Sequence, residues 1–224
     1  MIKTKDPVNQ ELIEKEKELG LDKFGLMSSS VWQQDPKRLI FTLARYKFVS
    51  IMLDGKKYVA EIGCGDGFGS RIVRQTVKNL HITDYDPYFI ERFKEISSDK
   101  WPITSQVHNI LDEPLERKFN SIYSLDVFEH IEKKQEKLFI RNILESIYDD
   151  GVVILGTPSI ESQKYASSGS KLGHVNCKSG KELKKLVENY FHNVFLFSMN
   201  DEVVHTGFEK MAHYLFVVCT GRRH

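Results

Sequence analysis

From residue 57 onward the chain alternates between two hydrophobic periods. Short apolar runs read as strands: KYVAEI (57–62), NLHITDY (79–85), TSQVHNI (104–110), SIYSLDVF (121–128) and GVVILGTP (151–158). Between them, apolar residues recur every three to four positions, the mark of an amphipathic helix. These segments are SRIVRQTV (70–77), YFIERFKEIS (88–97) and KKQEKLFIRNILESIY (133–148). Asp86-Pro87 opens the second of them, since aspartate caps a helix well and proline suits its first position. In SGKELKKLVENYF (179–191), Ser179 is followed three residues later by Glu182, a capping box. NVFLFSMN (193–200) and HYLFVVC (213–219) close the chain as two strand-like runs around a polar stretch.

This alternation predicts an α/β fold, a parallel sheet with helices on both faces. The last two strands have no helix between them, so one of them is predicted to be antiparallel. Residues before the alternating part look helical, most clearly PKRLIFTLARYKFVSIML (36–53). The predicted organisation is a helical N-terminal extension over 1–55, serving as a lid, followed by one domain over 56–224.

Composition narrows the partners. Lys and Arg total 32 against 31 Asp and Glu, for a net charge of +1. A nucleic-acid binder usually carries a basic excess or stripe, so no nucleic-acid partner is expected. No apolar run approaches the roughly 20 residues that span a bilayer, and MIKTKDPVNQELIEKEKELG (1–20) lacks the apolar centre of a signal peptide. Cys64, Cys177 and Cys219 are odd in number and far apart, which fits a reducing compartment. A cytoplasmic protein without membrane attachment is expected; the oligomeric state stays open.

The stretch EIGCGDGFG (61–69) places four glycines at alternate positions where the first strand ends. Glycine there is costly unless something approaches the backbone closely. In open parallel sheets, ligands bind beyond the carboxyl ends of the strands. The dinucleotide fingerprint G-x-G-x-x-G is absent: its third glycine would fall on Phe68 or Ser70. What stands here is E-x-G-x-G-x-G, at Glu61, Gly63, Gly65 and Gly67. In this motif the chain resembles the class I S-adenosylmethionine-dependent methyltransferases. FNSIYSLDVFEHI (119–131) looks like the fourth strand of their ubiquinone-biosynthesis-type branch, and the whole chain looks like methyltransferases of bacterial surface-glycan clusters.

The resemblance implies a Rossmann-like, seven-stranded, mostly parallel sheet with one antiparallel strand. It also implies S-adenosyl-L-methionine as cofactor. Glu61, Gly63, Cys64, Gly65 and Gly67 would form its first loop, with Glu61 serving the loop amides or the cofactor's amino-acid part. Asp84, 21 residues after Gly63 and next to Tyr85, would take the ribose hydroxyls. Asn109, followed by Ile110, stands where the family usually has an aspartate that meets the adenine amine. Leu125, Asp126 and His130 would line the cofactor. Trp32 and Arg45 of the N-terminal helix would cover the pocket and reach the cofactor carboxylate.

Motifs of the amino-methylating nucleic-acid enzymes (Asn/Asp-Pro-Pro-aromatic) are replaced by SLDVFEH. The expected reaction is O-methylation of a small polar acceptor, a sugar or sugar-linked metabolite first. Removing a hydroxyl proton calls for a base or a metal nearby. His174 in GHVN (173–176) and His205 in MNDEVVHTGFEKMAHY (199–214) are candidate bases, because imidazole titrates near neutrality. Asn200, Asp201 and Glu202 read better as a solvated acidic turn than as metal ligands, and no metal is expected. A non-catalytic binder of the cofactor and a nicotinamide-dependent oxidoreductase are the alternatives.

Overall fold

The structure, a computed structural model, describes residues 4–223, so the first three residues of the N-terminal extension lie outside the described residues. Among the described residues, eight α-helices occur in chain order: α1 (Gln10–Leu19), α2 (Leu26–Gln34), α3 (Pro36–Met52), α4 (Ser70–Arg74), α5 (Pro87–Ile96), α6 (Glu136–Glu145), α7 (Ser168–Gly173) and α8 (Gly180–Val187). The strands are β1 (Val59–Ile62), β2 (Leu80–Asp84), β3 (Thr104–Val107), β4 (Phe119–Leu125), β5 (Ile147–Pro158), β6 (Phe191–Asn200), β7 (Val203–His205) and β8 (Tyr214–Arg222).

They form one sheet in the order β3-β2-β1-β4-β5-β8-β6-β7. β1 to β5 pair in parallel, β8 runs antiparallel to both β5 and β6, and β7 runs antiparallel to β6. Seven strands with one reversed were expected, whereas the sheet has eight with two reversed. The extra strand comes from the polar stretch after β6. Asn200 pairs with Val203, leaving Asp201-Glu202 as a two-residue hairpin turn. Asp201 takes φ 51°, a left-handed conformation that aspartate tolerates better than most residues. Three residues are too few to display the period-2 pattern of a strand.

Local signals place the helices. Asp86 accepts from the Tyr88 amide at the start of α5, and Ser179 with Glu182 closes the expected capping box at α8. α4 stops at Arg74, short of the predicted 77, while Ile147 and Tyr148 leave the predicted sixth helix and begin β5.

Two apolar layers sandwich the sheet. One gathers Phe139, Ile143, Leu183 and Val187 from α6 and α8 against Ile122, Leu215 and Val217. The other gathers Val49 of α3, Leu53 just beyond its end, Val73 of α4 and Phe93 of α5 against Ile82, Tyr123 and Phe216. Each fully buried Leu or Phe stabilises the fold by about 1.5–3 kcal/mol before cavity effects. Phe48 of α3 belongs to this core, its ring 4.6 Å from Phe216 and 5.2 Å from Phe197. Among the described residues no helix is long and apolar enough to cross a membrane.

Candidate active site

The loop after β1 is built on left-handed glycines. Gly63, Gly65 and Gly67 have φ of 73°, 54° and 66°, a region that side chains other than glycine enter at a cost. At Gly63 the demand is also steric, because a Cβ there would stand 2.2 Å from Val127 Cγ2. The amides of Gly63 and Cys64 both donate to Thr83 O, at 2.8 and 2.9 Å. The loop is thereby laid across the end of β2.

Glu61 lies beneath the loop, fully buried. Its carboxylate accepts from the hydroxyls of Tyr46 (3.0 Å), Tyr123 (2.7 Å) and Ser70. It therefore fastens α3, β4 and α4 together and serves no loop amide. Burial pushes its pKa up to about 7, against the pull of the three hydroxyls, and nearby Asp84 adds to the rise.

Asp84 ends β2. Its Oδ2 accepts from the Gly65 amide at 2.9 Å and its Oδ1 from the Asp86 amide at 3.0 Å. Burial raises its pKa, and these backbone bonds oppose the rise. Tyr85 beside it is exposed. After β3, Asn109 turns its Oδ1 onto the Leu111 amide at 3.1 Å, and buried Ile110 gives its carbonyl to Asn142 Nδ2. Leu125 is buried at the end of β4.

The N-terminal segment docks on this loop through a contact the sequence did not announce. The Ser28 amide, in the first turn of α2, donates to Asp66 Oδ2 at 2.8 Å. Phe24 packs on Phe68 with ring centroids 5.1 Å apart and on half-exposed Trp32 at 5.7 Å. Arg45, expected to reach the cofactor carboxylate, is engaged by groups of the protein itself. Its Nη1 donates to Asp126 Oδ2 at 2.6 Å, and its guanidinium lies 3.9 Å from the centroid of the Tyr214 ring.

Past β4, the 3-10 turn Phe128–His130 meets the loop after β5. His130 Nδ1 lies 2.9 Å from Gly173 O, and His174 Nδ1 lies 2.8 Å from Gln163 Oε1. A carbonyl can only accept, so both Nδ1 atoms carry a proton, which makes Nε2 the lone-pair nitrogen of each ring in its neutral form. The rings are 5.2 Å apart. Ligand atoms of Glu129, His130 and His174 all fall within 4.8 Å of one another, an arrangement that can hold a metal ion. Glu129 is buried, with Oε2 accepting from Thr157 Oγ1 at 3.1 Å. Burial above all, then the charge of Asp126, raises its pKa, while Arg45 pulls the other way. Burial above all, then His130, lowers that of His174, while Asp126 pulls the other way.

Sequence reasoning named His130 and His174 but missed Glu129, whose signal was its place in FEH between them and Asp126. His205 is not in the cluster. Its Nε2 meets Asn200 Oδ1 at 2.8 Å and its Nδ1 accepts from the Gly207 amide at 2.9 Å, so both nitrogens are spent on the β6–β7 hairpin. Asn200, read with Asp201 and Glu202 as an acidic turn, is likewise occupied, its Nδ2 donating to Met211 O.

A glycine loop, a carboxylate at the next strand end and a polar cluster across the sheet's carboxyl edge define an α/β ligand-binding enzyme domain. The chain belongs to the methyltransferase domain family, whose sequence profile matches residues 32–191. No curated protein matches the sequence.

Solved structures share the fold at low identity. The N-methyltransferase NodS from Bradyrhizobium japonicum WM9, in complex with S-adenosyl-L-homocysteine, is 17% identical, with 96% of this chain and 99% of that one covered and a TM-score of 0.65. The methyltransferase domain of a bacterial Hen1 (CtHen1-C) is 19% identical over 80% of this chain and 98% of that one, with a TM-score of 0.66. The DhpI–SAH complex is 13% identical over 88% and 92%, with a TM-score of 0.64.

Proposed function

We propose that this protein transfers a methyl group from S-adenosyl-L-methionine to a hydroxyl of a small polar acceptor, a sugar or sugar-linked metabolite first. The donor would lie on the loop of Gly63, Cys64, Gly65 and Gly67, its ribose hydroxyls on the free lone pairs of Asp84. Leu125 and Ile110 would give its adenine apolar surroundings, and Asn109 would face its amine with the amide nitrogen turned away. Trp32 would close the pocket from α2.

The observation that carries the acceptor side is the gathering of one ligand atom each from Glu129, His130 and His174 within 4.8 Å of one another. Transfer is an in-line displacement: the acceptor oxygen bonds to the methyl carbon, the carbon–sulfur bond breaks, and its electron pair stays on sulfur. The hydroxyl proton must leave: to His174 where no cation is bound, or to water where a cation takes up that imidazole's free nitrogen. Three converging ligands favour a divalent cation held by Glu129, His130 and His174, which, when bound, lowers the pKa of a hydroxyl on it. The carbonyl partners on both Nδ1 atoms are what ligating histidines ordinarily have. The chain's own residues would then orient the acceptor about 3 Å from the methyl group and exclude water, which is proximity catalysis.

The test begins with calorimetric titration of S-adenosylhomocysteine, with NAD in parallel. Micromolar binding, about −8 kcal/mol, of the first and none of the second supports the donor; the reverse supports the oxidoreductase. Labelled methyl transfer to sugars and to matched amines, with Mn2+ or with chelator, then decides the acceptor. Transfer to amines alone would overturn the hydroxyl reading. Chelator-insensitive transfer to hydroxyls would leave His174 as base without a cation. Donor binding with no transfer to any acceptor would favour a non-catalytic binder.

A further inference from the structure

Asp126 is one of two described residues other than glycine with a left-handed backbone, at φ 56°. Such a conformation is strained for a residue with a side chain and persists only where its surroundings over-determine it. Two contacts do so at this position. The Asp126 amide donates to Gly156 O at 3.0 Å. Its Oδ2 receives Arg45 Nη1 at 2.6 Å across 81 residues of sequence. Arg45 in turn lies flat on the Tyr214 ring, with its Nε buried and unpartnered, so Asp126 is its one side-chain hydrogen-bond partner.

The residues just after Asp126 give the contact its meaning. Val127 packs on Gly63, where a Cβ would come within 2.2 Å of it. Glu129 and His130 come three and four residues after Asp126, in the 3-10 turn. One left-handed residue therefore sets both how the turn closes on the glycine loop and where the Glu129–His130 pair points. The neighbouring residue on α3, Tyr46, binds Glu61 beneath the same loop.

We infer that Arg45 is a positioning residue. It holds Asp126 in its left-handed conformation, and through Asp126 it sets the turn that carries Glu129 and His130. This role rests on the proposed acceptor cluster, but its first readout is independent of any cation. His130 Nδ1–H on Gly173 O has a characteristic imidazole nitrogen resonance, and that tautomer reports the turn's geometry. In Arg45→Ala, and to a lesser degree in Arg45→Lys, which keeps the charge without the planar stack, the single-tautomer signal should give way to a mixture.

Arg45→Ala combined with Asp126→Gly should restore the signal, because glycine takes φ 56° without help. Co2+ affinity, read from its visible absorption, should follow the same order, falling about 10–100-fold in Arg45→Ala and recovering to within about threefold in the pair. If Co2+ fails to bind the unaltered protein while the His130 signal behaves as stated, the cation reading falls and the clamp stands. If Arg45→Ala leaves the His130 tautomer intact, or the glycine partner does not restore it, the clamp is overturned.

Discussion

The amide of Gly65 donates to Oδ2 of Asp84 at 2.9 Å, so the residue expected to receive the cofactor's ribose also holds the loop expected to receive the rest. Asp84→Asn keeps an oxygen for that amide but loses the charge. Hydrogen bonds to a charged group contribute about 1.5–3 kcal/mol, and S-adenosylhomocysteine affinity should fall about 10–100-fold. Calorimetry measures it, with an unchanged circular dichroism spectrum as the control.

Gly67→Ala should destabilise the fold itself. Its φ is 66°, and a Cβ there would stand 2.5 Å from Phe93 Cδ2 and 3.0 Å from Ile82 Cδ1, inside the core under α5. Backbone strain and overpacking together should cost about 2 kcal/mol or more. The urea midpoint would drop accordingly. An unchanged midpoint would mean that α5 yields freely.

Stability should decline from mildly acidic to neutral pH. The folded state holds the Glu61 proton with a pKa of about 7 against 4.5 ordinarily. The favourable contribution is therefore complete below about pH 4.5 and is lost as pH rises through about 7, on the order of 3 kcal/mol in all. Burial shifts Glu129 and Asp84 the same way. Glu61→Gln has one oxygen and an amide group to meet the same three hydroxyls, and should flatten the slope between pH 5 and 7. An equally steep slope in that variant would place its origin elsewhere.

Asp66→Ala should loosen α2. The Ser28 amide would lose its acceptor, leaving the segment to the Phe24 ring contacts, the Asp22–Arg71 ion pair and its packing on α3. Limited proteolysis between residues 20 and 35 should run at least about fivefold faster, in line with the roughly 1 kcal/mol that a lost helix-capping partner costs. If α2 is a lid, S-adenosylhomocysteine should slow cleavage of the unaltered protein. Identical cleavage with and without ligand would remove that role.

The two histidines named from sequence should separate. His174→Ala removes one of the three clustered ligands and should weaken Mn2+ binding about 10–100-fold and slow methyl transfer with it. His205→Ala removes hairpin contacts with Asn200 and Gly207 and should leave Mn2+ affinity within about threefold. Equal losses from both variants would argue that the hairpin, too, shapes the cluster.

Features that depend on a few adjacent residues were legible along the chain. Hydrophobic period gave the alternation of strand and helix. Asp86-Pro87 and the Ser179–Glu182 box fixed two helix starts, and glycine at 63, 65 and 67 marked a loop that needs left-handed backbone. β7 escaped because three residues carry no period. Tertiary structure alone decided which distant groups meet: Arg45 with Asp126, Ser28 with Asp66, Glu129 and His130 with His174, and Glu61 with three hydroxyls instead of loop amides. Those contacts depend on strand order and on the packing of α2 and α3 over the sheet. Neither is encoded within the span of one turn or one strand, so they become visible only when the whole sheet is assembled.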